Sequence, residues 1–226
     1  MKQSILIFLM GLISFNMFAQ KEITVELEKF TEIKAFDRIQ VILIKSGENK
    51  VVISGEDRDE VEVANKNGLL KIRMELGNHM DGGDIEAKVY YTENLSLIDS
   101  NENAKINSED TLTGDFSRIA VQEGGKVDLK VNIDKLEIKS TSGGEITLTG
   151  NAKTQEVVAN AGGKVFNEKL NTEQTTVTVN AGGRADVNAT DKVTAKVRAG
   201  GTIYIYGNPK EVDKNKVFGG KIKIMD

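Results

Sequence analysis

Hydrophobic and polar residues alternate in short runs through the second half of the chain. The runs are punctuated by Gly-Gly pairs beginning at 124, 143, 162, 182, 200 and 219, at intervals of 19, 19, 20, 18 and 19. A marker that recurs at nearly constant length signals stacked structural units rather than unrelated turns. The second and fourth residues after each pair are Val127 and Leu129, Ile146 and Leu148, Val165 and Asn167, Ala185 and Val187, Ile203 and Ile205, and Ile222 and Ile224; eleven of the twelve are apolar. The first and third residues are polar in ten of twelve cases, as in Lys126 and Asp128 or Arg184 and Asp186. A period of two is that of a strand with one buried and one wet face. A second alternating run precedes each pair, placing Ile119 and Val121, Ile138 and Ser140, Val157 and Ala159, Val177 and Val179, and Ala195 and Val197 inward.

Helical solenoids are excluded, because their repeats are longer and follow a 3.6-residue period. Strand, Gly corner, strand and polar loop every nineteen residues make one circuit of a parallel β-helix. Corner glycines such as Gly163 and Gly183 are expected at positive φ, where a residue without Cβ turns the chain without a clash. An antiparallel meander also alternates, but nothing in it fixes one corner dipeptide at constant spacing. The expected fold is therefore all-β, with a parallel β-helix or solenoid of roughly 19-residue turns over residues 94–226 and an N-terminal β-strand region over 21–93. Residues 21–226 are also compatible with one continuous domain.

Upstream, Phe36–Ile44, Val51–Gly55, Val61–Val63 and Leu69–Met74 read as strands without the Gly-Gly marker. The stretches Lys45–Lys50 and Asn65–Gly68 carry turn chemistry consistent with hairpins. Leu95–Ile98 followed by Asn103–Ile106 reads as a degenerate rung one period before the first pair. Gly77–Asp84 reads as a flexible loop, and no long helix is expected.

The first twenty residues stand apart. Lys2 precedes an apolar run from Ile5 to Phe15, and small Ala19 precedes an abrupt polar turn, which is the pattern of a cleaved signal peptide. The run is shorter than the roughly 20 residues of a membrane span. No Cys follows it to carry a lipid, so the expectation is export to the periplasm, the outer surface or the medium, with no transmembrane segment in the mature chain.

Composition narrows the chemistry. With no Cys and one His, His79, the chain holds no disulfide framework, thiol nucleophile, zinc–thiolate centre or multi-histidine site. A formal net charge of −4, with Lys and Arg dispersed, gives no field to steer nucleic acid. The Gly pairs fail the calcium β-roll pattern, since Lys126-Val127-Asp128 follows Gly124-Gly125 without a third Gly. Asp81 and Asp84 offer two oxygen ligands where calcium wants six to eight, so that segment reads as a solvated loop beside His79. Outward acids are interleaved with bases, and Asp128 and Asp186 lie three rungs apart, roughly 14 Å, too far to act as a catalytic pair. No catalytic residue, metal site or cofactor is assigned. The outward Tyr204 and Tyr206, two residues apart on one face, are the candidate ligand-binding residues, because such rings stack on sugars; the rival reading is that they cover the end of the solenoid.

The opening Phe36-Asp37-Arg38-Ile39, the strands Val52–Gly55 and Gly68–Ile72, the repeated Gly corners and Tyr206-Gly207-Asn208-Pro209 carry a family resemblance from about Phe30 onward. The chain resembles the secreted bacterial auto-transporter adhesins with a head GIN domain, common in Bacteroidetes-type organisms. The resemblance implies a non-enzymatic surface adhesion module with no catalytic residues to carry over. The family writes its corners Gly-Ser-Gly-Asp, whereas Ala161-Gly162-Gly163-Lys164 and its variants lack that acidic column and any ion-binding role it implies. The leading reading is a secreted β-solenoid that binds a glycan or another envelope component. A carbohydrate-active β-helix enzyme and an envelope scaffold without a specific ligand are the alternatives.

Overall fold

The computed structural model describes residues 22–77 and 81–225; the leader expected over residues 1–20 and His79 lie outside them. Eighteen strands join in a single sheet system. The first eight are β1 (Ile23–Glu26), β2 (Glu32–Ala35), β3 (Gln40–Lys45), β4 (Lys50–Ser54), β5 (Val61–Lys66), β6 (Leu69–Met74), β7 (Glu86–Tyr91) and β8 (Leu97–Ser100). The solenoid follows as β9 (Lys105–Val121), β10 (Lys126–Ser140), β11 (Glu145–Ala159), β12 (Lys164–Phe166), β13 (Leu170–Asn180), β14 (Arg184–Asn188), β15 (Lys192–Arg198), β16 (Thr202–Tyr206), β17 (Glu211–Val217) and β18 (Lys221–Ile224). It makes about 7 turns of roughly 19 residues between residues 97 and 224.

Every pairing from β8 onward is parallel, and the expected register holds: Val127 lies opposite Ile146, Ile146 opposite Val165, and Ile138 opposite Val157. Of the twelve inward positions after the Gly pairs, eleven are buried; Ile224, at the end of the last strand, is 46% exposed. The degenerate rung is real, with Ile98 opposite Ile119 and Ile106 opposite Val127.

Three features differ from expectation. The polar loop is absent from the first full turns: β10 runs unbroken from Lys126 to Ser140, burying Val131, Ile133 and Leu136 as a third inward wall, and the pairing with β11 skips only Asp134. A bend at one unpaired residue turns the chain without giving up the ladder. The expected hairpin at Lys45–Lys50 does not form, since β7 inserts between β3, which it pairs in parallel, and β4, which it pairs antiparallel. Turn chemistry specifies that a chain reverses, not which strand it meets. The Asn65–Gly68 hairpin does form, with Asn67 at φ 54 and Gly68 at φ 78, the geometry of a tight type I′ turn.

The third difference is the corner itself. In Asn160–Gly163 the left-handed pair is Ala161 (φ 46) and Gly162 (φ 76), closed by the Gly163 N–H donating to the Asn160 carbonyl at 2.8 Å. Gly163 and Gly183 are not at positive φ. They are needed for space: a Cβ on Gly163 would press into the Ser140 carbonyl, and one on Gly183 would lie 2.8 Å from the Ala159 carbonyl oxygen. The same corner recurs without a Gly pair at Asn101–Ala104, where Glu102 (φ 51) and Asn103 (φ 59) hold the left-handed places.

The N-terminal strands continue the ladder. β2 sits between β6 and β8, and β3 between β7 and β9, all in parallel. The chain thus lays its first rung down inside, wraps 69–91 over it, and returns to the other side at Leu97. β1, β4 and β5 close that end with antiparallel pairings.

Candidate ligand-binding face

The first strand of each rung presents its odd positions to solvent, and successive rungs bring these into columns. Lys126, Glu145, Lys164, Arg184 and Thr202 form one column, and Asp128, Thr147, Phe166, Asp186, Tyr204 and Lys223 the next. Asp128 and Asp186 are three rungs apart, as expected.

Tyr204 and Tyr206 both project outward from β16 and are partly exposed. Around Tyr204 the columns assemble a cluster whose members the sequence reading left separate. The Arg184 guanidinium donates to both oxygens of Asp186, at 2.9 and 2.7 Å, and the Asp186 side chain is only 4% exposed. Arg184 also lies over two rings, 5.2 Å from the centre of Phe166 and 4.9 Å from that of Tyr204. The bidentate bond to Asp186 holds the Arg184 charge more firmly than in a free guanidinium, because deprotonation would orphan a buried carboxylate. Lys223, one rung beyond, stands 5.8 Å from the same Tyr204 ring. Cations from the rungs on either side thus flank Tyr204, so its faces serve the column. Over Tyr206 no cation is placed among the described residues. Its hydroxyl is held above its ordinary range, first by burial and then by the charges of Asp186 and Glu168. The signal for this cluster was present in sequence as an Arg and an Asp two residues apart on an outward face, flanked one rung either side by an aromatic residue.

A buried polar network was missed for a different reason. Asn167, the one polar residue among the twelve inward positions, accepts the Leu148 N–H at 3.2 Å and donates to Gln155 at 3.0 Å; Gln155 donates to Thr175, also at 3.0 Å. The Thr172 and Thr175 hydroxyls are 2.9 Å apart, and Thr172 reaches the Asn188 carbonyl at 2.6 Å. These residues fill the interior where β12 ends and replace ladder bonds lost there. Their amides and hydroxyls are all partnered, so they are structural.

Of the described residues in the expected loop, Asp81, Gly83 and Asp84 are exposed as expected, while Gly82 is buried. Gly82–Asp84 make one 3₁₀ turn closed by the Ile85 N–H on the Gly82 carbonyl at 3.1 Å, and Gly82 is buried against Asp37 and Ile39. Among the described residues no three His, Cys, Asp or Glu side chains group as a metal site, and no helix is long and apolar enough to cross a membrane.

Comparison with known proteins places this geometry. The family model described as "Putative auto-transporter adhesin, head GIN domain" matches residues 29–209. A solved "putative adhesin" from Bacteroides fragilis is 22% identical, with TM-score 0.80, covering 91% of this chain and 97% of its own. A "putative adhesin" from Parabacteroides merdae is 16% identical with TM-score 0.69, and a "putative lipid binding protein" from Parabacteroides distasonis is 14% identical with TM-score 0.70; each covers 91% of this chain and 96% of its own. These likenesses establish a shared fold. No curated protein matches the chain.

Proposed function

The chain belongs to the family described as "Putative auto-transporter adhesin, head GIN domain", and from that premise we propose that it is an exported, non-enzymatic binding module that holds a glycan or another envelope component on the outward face of its first strands. The observation that carries this reading is the Phe166–Arg184–Asp186–Tyr204 cluster with Tyr206 beside it. There, planar side chains and a fixed ion pair interrupt an otherwise mixed-charge surface on a rigid ladder.

A rigid face costs little ordering entropy when it binds, and an aromatic ring beside fixed polar groups suits the apolar faces and hydroxyls of sugars. Tyr206 is assigned the stacking role, since the cations over Tyr204 already occupy that ring. The leader over residues 1–20 supports export. The test is a glycan and envelope-component array probed with the exported protein and with Tyr206→Ala. Binding by the first and at least about ten-fold weaker binding by the second is the expected result. Equal binding by both would remove Tyr206 from the site, and a silent array would favour a scaffold without a specific ligand.

A further inference from the structure

Where the register puts like charges opposite one another, at least one member has an ion pair: Lys34, opposite Lys71, bonds Asp99 at 3.0 Å; Arg184, opposite Lys164, bonds Asp186; and Glu137, opposite Glu156, bonds Arg118 at 2.6 Å. Lys105 and Lys126 break this rule. They lie directly opposite on β9 and β10, about 4.8 Å apart along the axis, both are exposed, and among the described residues neither has a carboxylate within 4.0 Å. Glu145, the next residue of the column, turns away from Lys126 to Lys164, at 3.9 Å. Like charges directly opposite in a ladder are destabilising, so their retention without a partner asks for one.

These two lysines line a groove of about 410 Å³ together with Arg38, Asn103, Gly83 and Gly124. The Arg38 guanidinium rests against Gly83, whose missing side chain opens that wall; a Cβ there would lie 3.6 Å from it. A second recess of about 180 Å³ is lined by Lys105 and Lys126 together with Asp128, Glu145 and Thr147, so the lysines stand between two open spaces and the second also offers carboxylates that accept from sugar hydroxyls. Two lysines without an ion-pair partner among the described residues, a side-chain amide and glycine backbone, on a chain of net charge −4, form a local anion site. Lys126 and Arg184 belong to one column three rungs apart, roughly 14 Å, the reach of about three sugar units.

We propose that Lys105 and Lys126 take the acidic groups of an anionic glycan that runs along this face towards Tyr206. The inference rests on the binding-module reading and adds the ligand's charge to it. Isothermal titration of the exported full chain with oligogalacturonate, with maltohexaose as the uncharged chain and with inorganic phosphate as the bare anion tests it, alongside Lys105→Gln/Lys126→Gln. The expected result is oligogalacturonate binding that weakens about ten-fold in the double variant and falls with added salt, with a melting temperature no lower than the parent's because the change relieves a like-charge pair. Maltohexaose binding equally well, with the variant indistinguishable, would overturn the lysine assignment and leave the glycan reading standing. Phosphate binding as tightly as oligogalacturonate would overturn the chain and leave a small-anion site. No binding of any of the three would overturn this proposal, while array hits of other chemistry would still uphold the broader one.

Discussion

The Arg118 guanidinium grips the Glu137 carboxylate, nineteen residues on and one rung along, through two bonds of 3.1 and 2.6 Å to the same oxygen. Lys153 with Asp134, Lys192 with Glu211 and Lys210 with Asp191 repeat the relationship at the same separation, so the outer surface carries the repeat in its charges as well as its glycines. Arg118, and then Lys135, hold the Glu137 carboxyl below its ordinary range. Its contribution is therefore present above the unfolded carboxylate value near 4.5 and is lost as pH falls through the lower folded value. Both partners are partly solvated, so Glu137→Gln should cost only about 0.2–1 kcal/mol at pH 7. Denaturant unfolding of both proteins at pH 7 and pH 3 should show that gap closing at the acid end.

Register is tested by adjacent residues. Ile146 is fully buried in its column, while Glu145 beside it faces water. Ile146→Asp strands a charge among Val127 and Val165 and should cost about 3–5 kcal/mol, against under about 1 kcal/mol for Glu145→Lys. Equal melting temperatures would contradict the ladder as described.

The two glycines of a corner do different work, and substitution should separate them. Gly162 needs only its left-handed backbone, since a Cβ there meets nothing within 4 Å. Asn tolerates that conformation and already occupies the equivalent place as Asn103 (φ 59). Gly162→Asn should be nearly neutral, and Gly162→Val should cost about 1–3 kcal/mol. Gly163→Asn should be worse than either, because its Cβ would strike the Ser140 carbonyl of the rung before. The same substitution as Gly162→Val, made at Gly219 in the last corner, should cost less, because a solenoid couples each rung chiefly to its neighbours. Urea unfolding of the four variants gives the order directly.

Much of this was legible because a solenoid writes its three-dimensional neighbours at a fixed offset. Once the Gly pairs set the period, Ile146 had to meet Val127 and Val165, and Tyr204 had to meet Asp186 and Lys223. The same reading failed where the offset is broken. Nothing in Val41 or Val89 says that β7 inserts beside β3, because that pairing joins residues separated by an insertion rather than by a period. Gly163 and Gly183 were assigned the wrong one of two roles, since a dipeptide signals a turn without saying which residue needs φ freedom and which needs room. The Arg184 clamp obeys the offset, with Phe166 and Tyr204 one rung either side of Asp186; what the period leaves open is that the guanidinium folds onto Asp186 and over both rings.

Tyr91 should give the fold an alkaline limit. Its ring is buried beneath Lys45, whose ammonium lies 5.0 Å from the ring centre, and burial followed by the nearby Asp110 charge raises the hydroxyl to about 12. A folded value above the unfolded one near 10 means that the contribution is complete below pH 10 and disappears between there and pH 12. The loss is on the order of 2–3 kcal/mol. Tyr91→Phe should flatten that part of the stability profile, and a variant that declines as steeply as the parent would assign the limit to other groups.

The last rung carries a separate instruction. By register Lys214 and Lys216 occupy the inward places held one rung earlier by Ala195 and Val197, and both are exposed. Among the described residues β17 pairs only with β15 and β18 only with β16, so this end presents a seven-residue edge of unpaired backbone groups to any strand that meets it. Natural sheets blunt such edges with inward-pointing charges, whose burial by an incoming strand would cost far more than the new ladder returns. Phe218, 91% exposed at the final corner, and Ile224 add apolar surface that makes the protection necessary. Lys214→Val/Lys216→Val should therefore keep its fold while acquiring concentration-dependent self-association, because the edge would then match the inward column it extends. Sedimentation velocity over a hundred-fold concentration range tests this. A double variant that stays monomeric throughout would mean that the twist of the last rung, not its two lysines, keeps a second chain away.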